Sequence, residues 1–192
     1  MEGIRSFIAI EVPEPLQARM GELQQELKKF EPDIKWVRPG NIHLTLKFLG
    51  TVPKEILEKV SLAVSSAVLQ VEPFDLRLYG LGGFPSSRNP RVIWVGIDQG
   101  WQLISSLQKA IEEKTDAFSF PSERRPFKPH LTIGRVRSLK GKAGFAQAIE
   151  ERQKVEIGAF RAKETILFQS KLTPAGAIYT KLKTFPMKAS DV

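Results

Sequence analysis

The chain has 192 residues, 42% of them hydrophobic, which is enough for one sizeable core. It contains no cysteine, so disulfides, thiol nucleophiles and thiolate zinc sites are excluded together. Its net charge of +8, from 29 basic and 21 acidic residues, suits a polyanionic partner, for which nucleic acid is the usual candidate.

Ile4 to Glu11 reads as a largely apolar strand that stops before Pro13. Pro15 to Phe30 places Leu16, Met20, Leu23, Leu27 and Phe30 three or four residues apart, the spacing of an amphipathic helix, and Pro13 and Pro15 suit its start. Ile34 to Val37 is a short strand, and Pro39-Gly40 turns the chain into a strand over Ile42 to Leu49. A second helix covers Pro53 to Val68. Phe74 to Leu81 alternates apolar and polar residues as a half-buried strand does. Gly82 to Pro90 has the composition of a loop, a candidate lip for a cleft, and Arg91 to Ile97 completes a hairpin. A third helix spans Trp101 to Lys114. A basic, proline-rich approach leads into a strand over Pro129 to Val136, and a short helix covers Gly144 to Arg152. Val155 to Arg161, Glu164 to Ser170 and Ala177 to Leu182 close the chain as strands, with Pro174-Ala175-Gly176 turning between the last two.

No low-complexity linker divides residues 1–192, so a single domain is expected. A helix, an H-L-T strand and a helix recur in each half, which suggests two similar lobes. The hairpin signals favour antiparallel sheets and an α+β class. No window approaches the ~18 apolar residues of a membrane span. The start lacks the basic-then-apolar build of a signal peptide, and the chain is read as cytoplasmic. With no heptad or exposed apolar stripe, a monomer is expected.

The only two histidines lie in His43-Leu44-Thr45-Leu46 and His130-Leu131-Thr132-Ile133. Side chains alternate along a strand, so each histidine shares a face with the threonine two residues on, while the aliphatics face a core. A structural role gives no reason for both histidines to share this pattern. Brought together, the strands offer two imidazoles and two hydroxyls. In-line displacement at a phosphate diester needs a base for the nucleophile, an acid for the leaving oxygen, and donors for the equatorial oxygens. Imidazoles near neutral pH can fill both roles. No H-x-H or H-E-x-x-H pattern and no acidic cluster proposes a metal, and no cofactor is expected. Arg124, Arg125, Lys128, Arg135, Arg137, Lys140 and Lys142 surround the second histidine without an intervening acid. Of these, Arg124, Arg125 and Lys128 are candidates for backbone phosphates, and Phe127 is a candidate stacking platform for a base.

Ile42-His43-Leu44-Thr45-Leu46-Lys47-Phe48-Leu49-Gly50 and Phe127-Lys128-Pro129-His130-Leu131-Thr132-Ile133-Gly134-Arg135 resemble the two signatures of the 2H phosphoesterase superfamily. Within it the chain is most similar to the RNA 2′,3′-cyclic phosphodiesterases, historically called 2′-5′ RNA ligases. Arg5-Ser6-Phe7-Ile8-Ala9-Ile10, Pro90 to Gly96 and Leu172 to Tyr179 fit as well. The resemblance implies a bilobal fold with two antiparallel sheets and outer helices around a V-shaped cleft. It implies hydrolysis of a 2′,3′-cyclic phosphate, at an RNA end or on a nucleoside, to a 2′-phosphate. His43 would be the proton donor and His130 the proton acceptor, with phosphate oxygens held by Thr45, Thr132 and Arg135. Phe48 would lie near the terminal base. Strict alternation from the histidines instead buries Phe48 and turns Arg135 away, so Arg135 needs a strand end or bulge after Gly134. Ligation, with a 5′-hydroxyl replacing water, and a non-catalytic RNA-binding module are the alternatives.

Overall fold

The computed structural model describes residues 3–30, 33–120, 126–138, 144–174 and 176–189. Along the chain run β1 (Gly3–Glu11), α1 (Glu14–Lys28), β2 (Asp33–Trp36), β3 (His43–Pro53), α2 (Lys54–Val68), β4 (Phe74–Phe84), β5 (Val92–Gln99) and α3 (Trp101–Thr115). They are followed by β6 (His130–Ser138), α4 (Phe145–Glu151), β7 (Glu156–Ala162), β8 (Glu164–Thr173) and β9 (Gly176–Pro186). The α+β class and the elements expected from the sequence are all present. Ala175, in the expected turn, lies outside the described residues. Among the described residues no helix is long and apolar enough to cross a membrane.

Two antiparallel sheets form the frame. One has the order β3-β1-β8-β9 and the other β2-β6-β5-β4-β7. Two halves of the chain are therefore interleaved. β1, from the first half, pairs with β8 from the second. β2 and β4, from the first half, pair with β6 and β7 from the second, β2 with β6 and β4 with β7. This exchange is the physical reason that no linker divides the sequence: neither sheet can be completed by one half alone. The strands that carry the histidines, β3 and β6, lie on corresponding sides of β1 and β5 and touch each other across the two sheets.

One core joins the inner faces of both sheets to the helices through Leu44, Leu46, Ile104, Leu107, Leu131 and Ile133. A second, smaller cluster of Phe7, Ala9, Ile166 and Phe168, with Tyr179 against it, fills the opposite face of β1 and β8. Burial on both faces explains why β1 reads as a continuous apolar run rather than an alternating one.

The structure corrects the sequence reading at Gly82 to Pro90. β4 continues to Phe84, pairing Gly82 with Trp94 and Phe84 with Val92, so the loop begins only at Pro85. Gly82 is there for close approach, not for a turn: a Cβ would meet the Trp94 ring at 2.3 Å. At the start of α3, Gly100 adopts φ +83°, and a Cβ would stand 2.2 Å from the Asp75 carbonyl oxygen.

Candidate active site

His43 and His130 are each the first residue of their strand. Each ring is anchored by the same contact. Nδ1 of His43 lies 2.8 Å from the carbonyl oxygen of Asn41, and Nδ1 of His130 lies 2.7 Å from that of Lys128. A carbonyl only accepts, so both Nδ1 atoms carry hydrogen. That fixes the tautomer and leaves Nε2, on the far side of the ring, for chemistry. The Asn41 turn is itself tied down, since its side-chain amide donates to the Ala177 carbonyl at 2.8 Å.

Alternation along both strands is broken at the same place. β3 pairs Thr45 with Ala9 but Lys47 with Ile8, so Leu46 is an extra residue. β6 pairs Thr132 with Trp94 but Gly134 with Ile93, so Ile133 is an extra residue. Each is a β-bulge at the aliphatic that follows the threonine, and each reverses the facing of what comes next. Histidine and threonine face the cleft, two successive residues turn inward, and the fifth residue after the histidine returns to the cleft face. In β3 that residue is Phe48, which is 48% exposed and whose ring centroid lies 6.0 Å from that of Phe7. In β6 it is Arg135, also exposed. The expected burial of Phe48 is thus corrected. The bulge Arg135 needed is present, one step earlier than expected, at Ile133 rather than after Gly134.

Each bulge is tied from behind to a helix of the opposite half through one buried polar side chain, on the helix in one case and on the strand in the other. Gln24 of α1, 3% exposed, donates its amide to the carbonyls of Val37 at 2.7 Å and Ile133 at 2.8 Å. The Ile133 carbonyl also accepts the Val37 N–H at 3.0 Å, which docks the end of β2 onto the bulge. In the other strand Lys47, 4% exposed, turns inward and forms an ion pair with Glu112 of α3, which also accepts from Gln108. The sequence reading missed both supports. Gln24 left a signal, a polar residue on the apolar face of α1. Lys47 left none, because only the bulge places it inside.

The two imidazoles have different neighbours. His43 stacks on Phe7 at 4.7 Å between centroids and meets the edge of Tyr179 at 5.2 Å. Burial is the main reason its pKa falls below the ordinary value, partly offset by the Asn41 hydrogen bond. His130 meets the edge of Phe84 at 5.1 Å. Its pKa is lowered first by burial, then offset by the Lys128 hydrogen bond, with the positive charge of Arg135 lowering it further. Tyr179 lies in the sheet of His43 and is held above the ordinary phenol range by burial, although Arg135 and Arg5 pull it down. One guanidinium on β6 therefore acts on His130 and on Tyr179 of the facing sheet, which puts both walls around one electrostatic site. Arg5 and Tyr179 are cleft residues to which the sequence reading gave no role.

Thr45 and Thr132 lie half-buried on the cleft face beside their histidines. Phe127 does not share the wall of Phe48; it lines a groove with Trp101. Lys128 is exposed at that groove, while Arg124, Arg125, Lys140 and Lys142 lie outside the described residues. Among the described residues no three His, Asp or Glu side chains gather as a metal site would require.

Paired imidazoles and hydroxyls beside an arginine on one cleft suit chemistry on phosphate esters. The family model of LigT-like phosphoesterases matches residues 10–94 and again residues 95–179, and the chain belongs to that family. The two consecutive matches contain one H-x-T strand each, in accord with the two interleaved halves. A curated relative from Methanothermobacter thermautotrophicus, named RNA 2′,3′-cyclic phosphodiesterase, is 36% identical over 95% of this chain and 98% of its own. The crystal structure of TT0787 of Thermus thermophilus superposes with a TM-score of 0.76 at 32% identity, covering 97% of this chain and all of that one. The structure of Escherichia coli LigT complexed with 3′-AMP has a TM-score of 0.80 over 98% of this chain, and at 22% identity it speaks for the fold.

Proposed function

We propose that the protein hydrolyses the 2′,3′-cyclic phosphate at an RNA end to a 2′-phosphate, by a two-histidine mechanism that uses no metal ion. The names of its relatives supply the substrate class. The observation that carries the mechanism is the shared anchoring of the imidazoles: both donate Nδ1–H to a backbone carbonyl, so both present Nε2. Nε2 of His130 takes a proton from water as the water oxygen bonds to phosphorus. The bond from phosphorus to O3′ breaks on the opposite side, and Nε2–H of His43 delivers its proton to O3′. The 2′ ester is untouched. Thr45, Thr132 and Arg135 stabilise charge on the equatorial oxygens, and strain in the five-membered ring lowers the barrier.

Local electrostatics favour this division of labour. His130 lies in the field of Arg135, which opposes an imidazolium and so suits the base. His43 lies on the face of Phe7, whose π-electrons attract a cation, and so suits the acid. Burial holds the pKa of His43 below its ordinary value, and an arriving phosphate anion opposes that shift by favouring the imidazolium.

The test is product analysis, in a chelator, on an oligoribonucleotide ended by a 2′,3′-cyclic phosphate. A 2′-phosphate is expected, and His43→Ala and His130→Ala are expected to abolish turnover. A 3′-phosphate product, activity that appears only on adding a divalent metal, or full activity in either variant would reject the proposal.

A further inference from the structure

We propose that a groove beside the catalytic strand binds the nucleotide on the 5′ side of the terminal one when the substrate is single-stranded RNA. This rests on the reading of the active site as an RNA-end phosphodiesterase. The groove, about 470 Å³ in volume, lies between the first turn of α3 and the approach to β6. Trp101, Ser105, Phe127 and Lys128 line it.

Trp101 is 47% exposed, whereas the core-facing residues of α3, Ile104, Leu107 and Ile111, are fully buried. Its indole therefore stands outside the core, with an open face toward the groove. Phe127 adds a second, half-buried ring, and Lys128 adds an exposed cation. Aromatic faces for bases beside a cation for the backbone are the parts from which single-strand sites are built, and stacking tolerates any base. The carboxylate on the rim, Asp98, does not oppose a phosphate. Both its oxygens are bound by Arg77, at 2.9 and 2.5 Å, which also holds its pKa down.

Position selects RNA as the occupant. Lys128 is the residue whose carbonyl holds the His130 ring, so the groove wall and the catalytic base share one short segment. Two residues of chain span no more than about 7 Å. A polymer whose terminal phosphate lies at His130 must carry its next nucleotide away from that point, and this groove is the aromatic, basic surface bordering it.

Kinetics on two substrates separate this proposal from the reading it rests on. Trp101→Ala is expected to leave kcat and KM for a nucleoside 2′,3′-cyclic phosphate within twofold, because that substrate ends before the groove. For a cyclic-phosphate-ended oligoribonucleotide the same variant is expected to raise KM roughly 5- to 150-fold, the range of one base stack, at unchanged kcat. Lys128→Ala keeps the backbone carbonyl and is expected to lower the slope of log KM against log salt by about 0.7 on the oligonucleotide. Equal effects of Trp101→Ala on both substrates, or none on the oligonucleotide, would overturn the groove while leaving the phosphodiesterase intact. An oligoribonucleotide with a 3′-hydroxyl, titrated against tryptophan fluorescence, reads the groove without turnover. Quenching that Trp101→Ala removes supports it even where no hydrolysis occurs, and absence of quenching overturns it.

Discussion

Replacing Gln24 by Met keeps the length and volume of the side chain and removes only its amide. The Ile133 carbonyl retains the Val37 N–H but loses its second donor, and the Val37 carbonyl loses the Gln24 amide. One buried and one part-buried acceptor left short of donors correspond to a cost of ~1–3 kcal/mol. At the 2–4 °C per kcal/mol of a domain this size, the melting temperature is expected to fall by roughly 2–12 °C. The functional consequence is more specific. Without the amide, the bulge at Ile133 loses the contact that favours it over regular pairing, and regular pairing turns Arg135 out of the cleft. His130 is held on the other side of the bulge by Lys128 and keeps its place. Gln24→Met is therefore expected to raise KM for a cyclic nucleotide, and to lower kcat, toward the values of Arg135→Ala. Adding Gln24→Met to Arg135→Ala is expected to change KM no further. Thermal melts and steady-state kinetics at 25 °C measure both parts. A lowered melting temperature with an unchanged KM would show that Gln24 supports the fold but not the placement of Arg135, and would refute the argument.

Three other expectations follow from the same geometry. Glu112→Ala leaves Lys47 charged, buried and unpaired, whereas Lys47→Met leaves a carboxylate that reaches solvent. The first is expected to cost about 3–5 kcal/mol and the second clearly less, and urea unfolding that gives the reverse order would sink the description of the pair. The pH profile of kcat/KM reports the free enzyme, where both imidazoles titrate below their ordinary value, so its bell is expected to centre on the acid side of pH 6.5. Removing the guanidinium in Arg135→Ala raises the pKa of His130 and is expected to move the acid limb to higher pH; an unmoved limb would take Arg135 out of the field of the base. Phe48→Ala is expected to raise KM for a nucleoside 2′,3′-cyclic phosphate about 5- to 150-fold, and an unchanged KM would remove Phe48 from base contact.

Periodicity carried the fold a long way. Helices α1, α2 and α3 and the H-x-T strands lie where apolar spacing puts them, because each has one face in the common core. The histidines and threonines were legible for the same reason, being polar residues at alternate positions between aliphatics. Arg135 and Phe48 were not legible from alternation. A bulge is a property of two paired strands, and neither Leu46 nor Ile133 differs in kind from an ordinary strand aliphatic. Gly82-Gly83 reads as loop for a related reason, since the Trp94 ring that requires Gly82 comes from the neighbouring strand.

The interleaving of the halves bears on how the cleft keeps its geometry. α1 lies in the first half of the chain but fastens the bulge of β6, through Gln24. α3 lies in the second half but fastens the bulge of β3, through Glu112. β4 and β8 are likewise exchanged between the sheets. Each wall of the cleft is therefore braced by the half of the chain that supplies the other wall. A hinge between two self-contained lobes would open by swinging one histidine away from the other. Here the same motion would have to part β3 from β6 and open the single core that runs between the two sheets. The placement of the two imidazoles is thus set by the core rather than by loops, which suits the proposed reaction, whose acid and base must flank a single phosphorus atom.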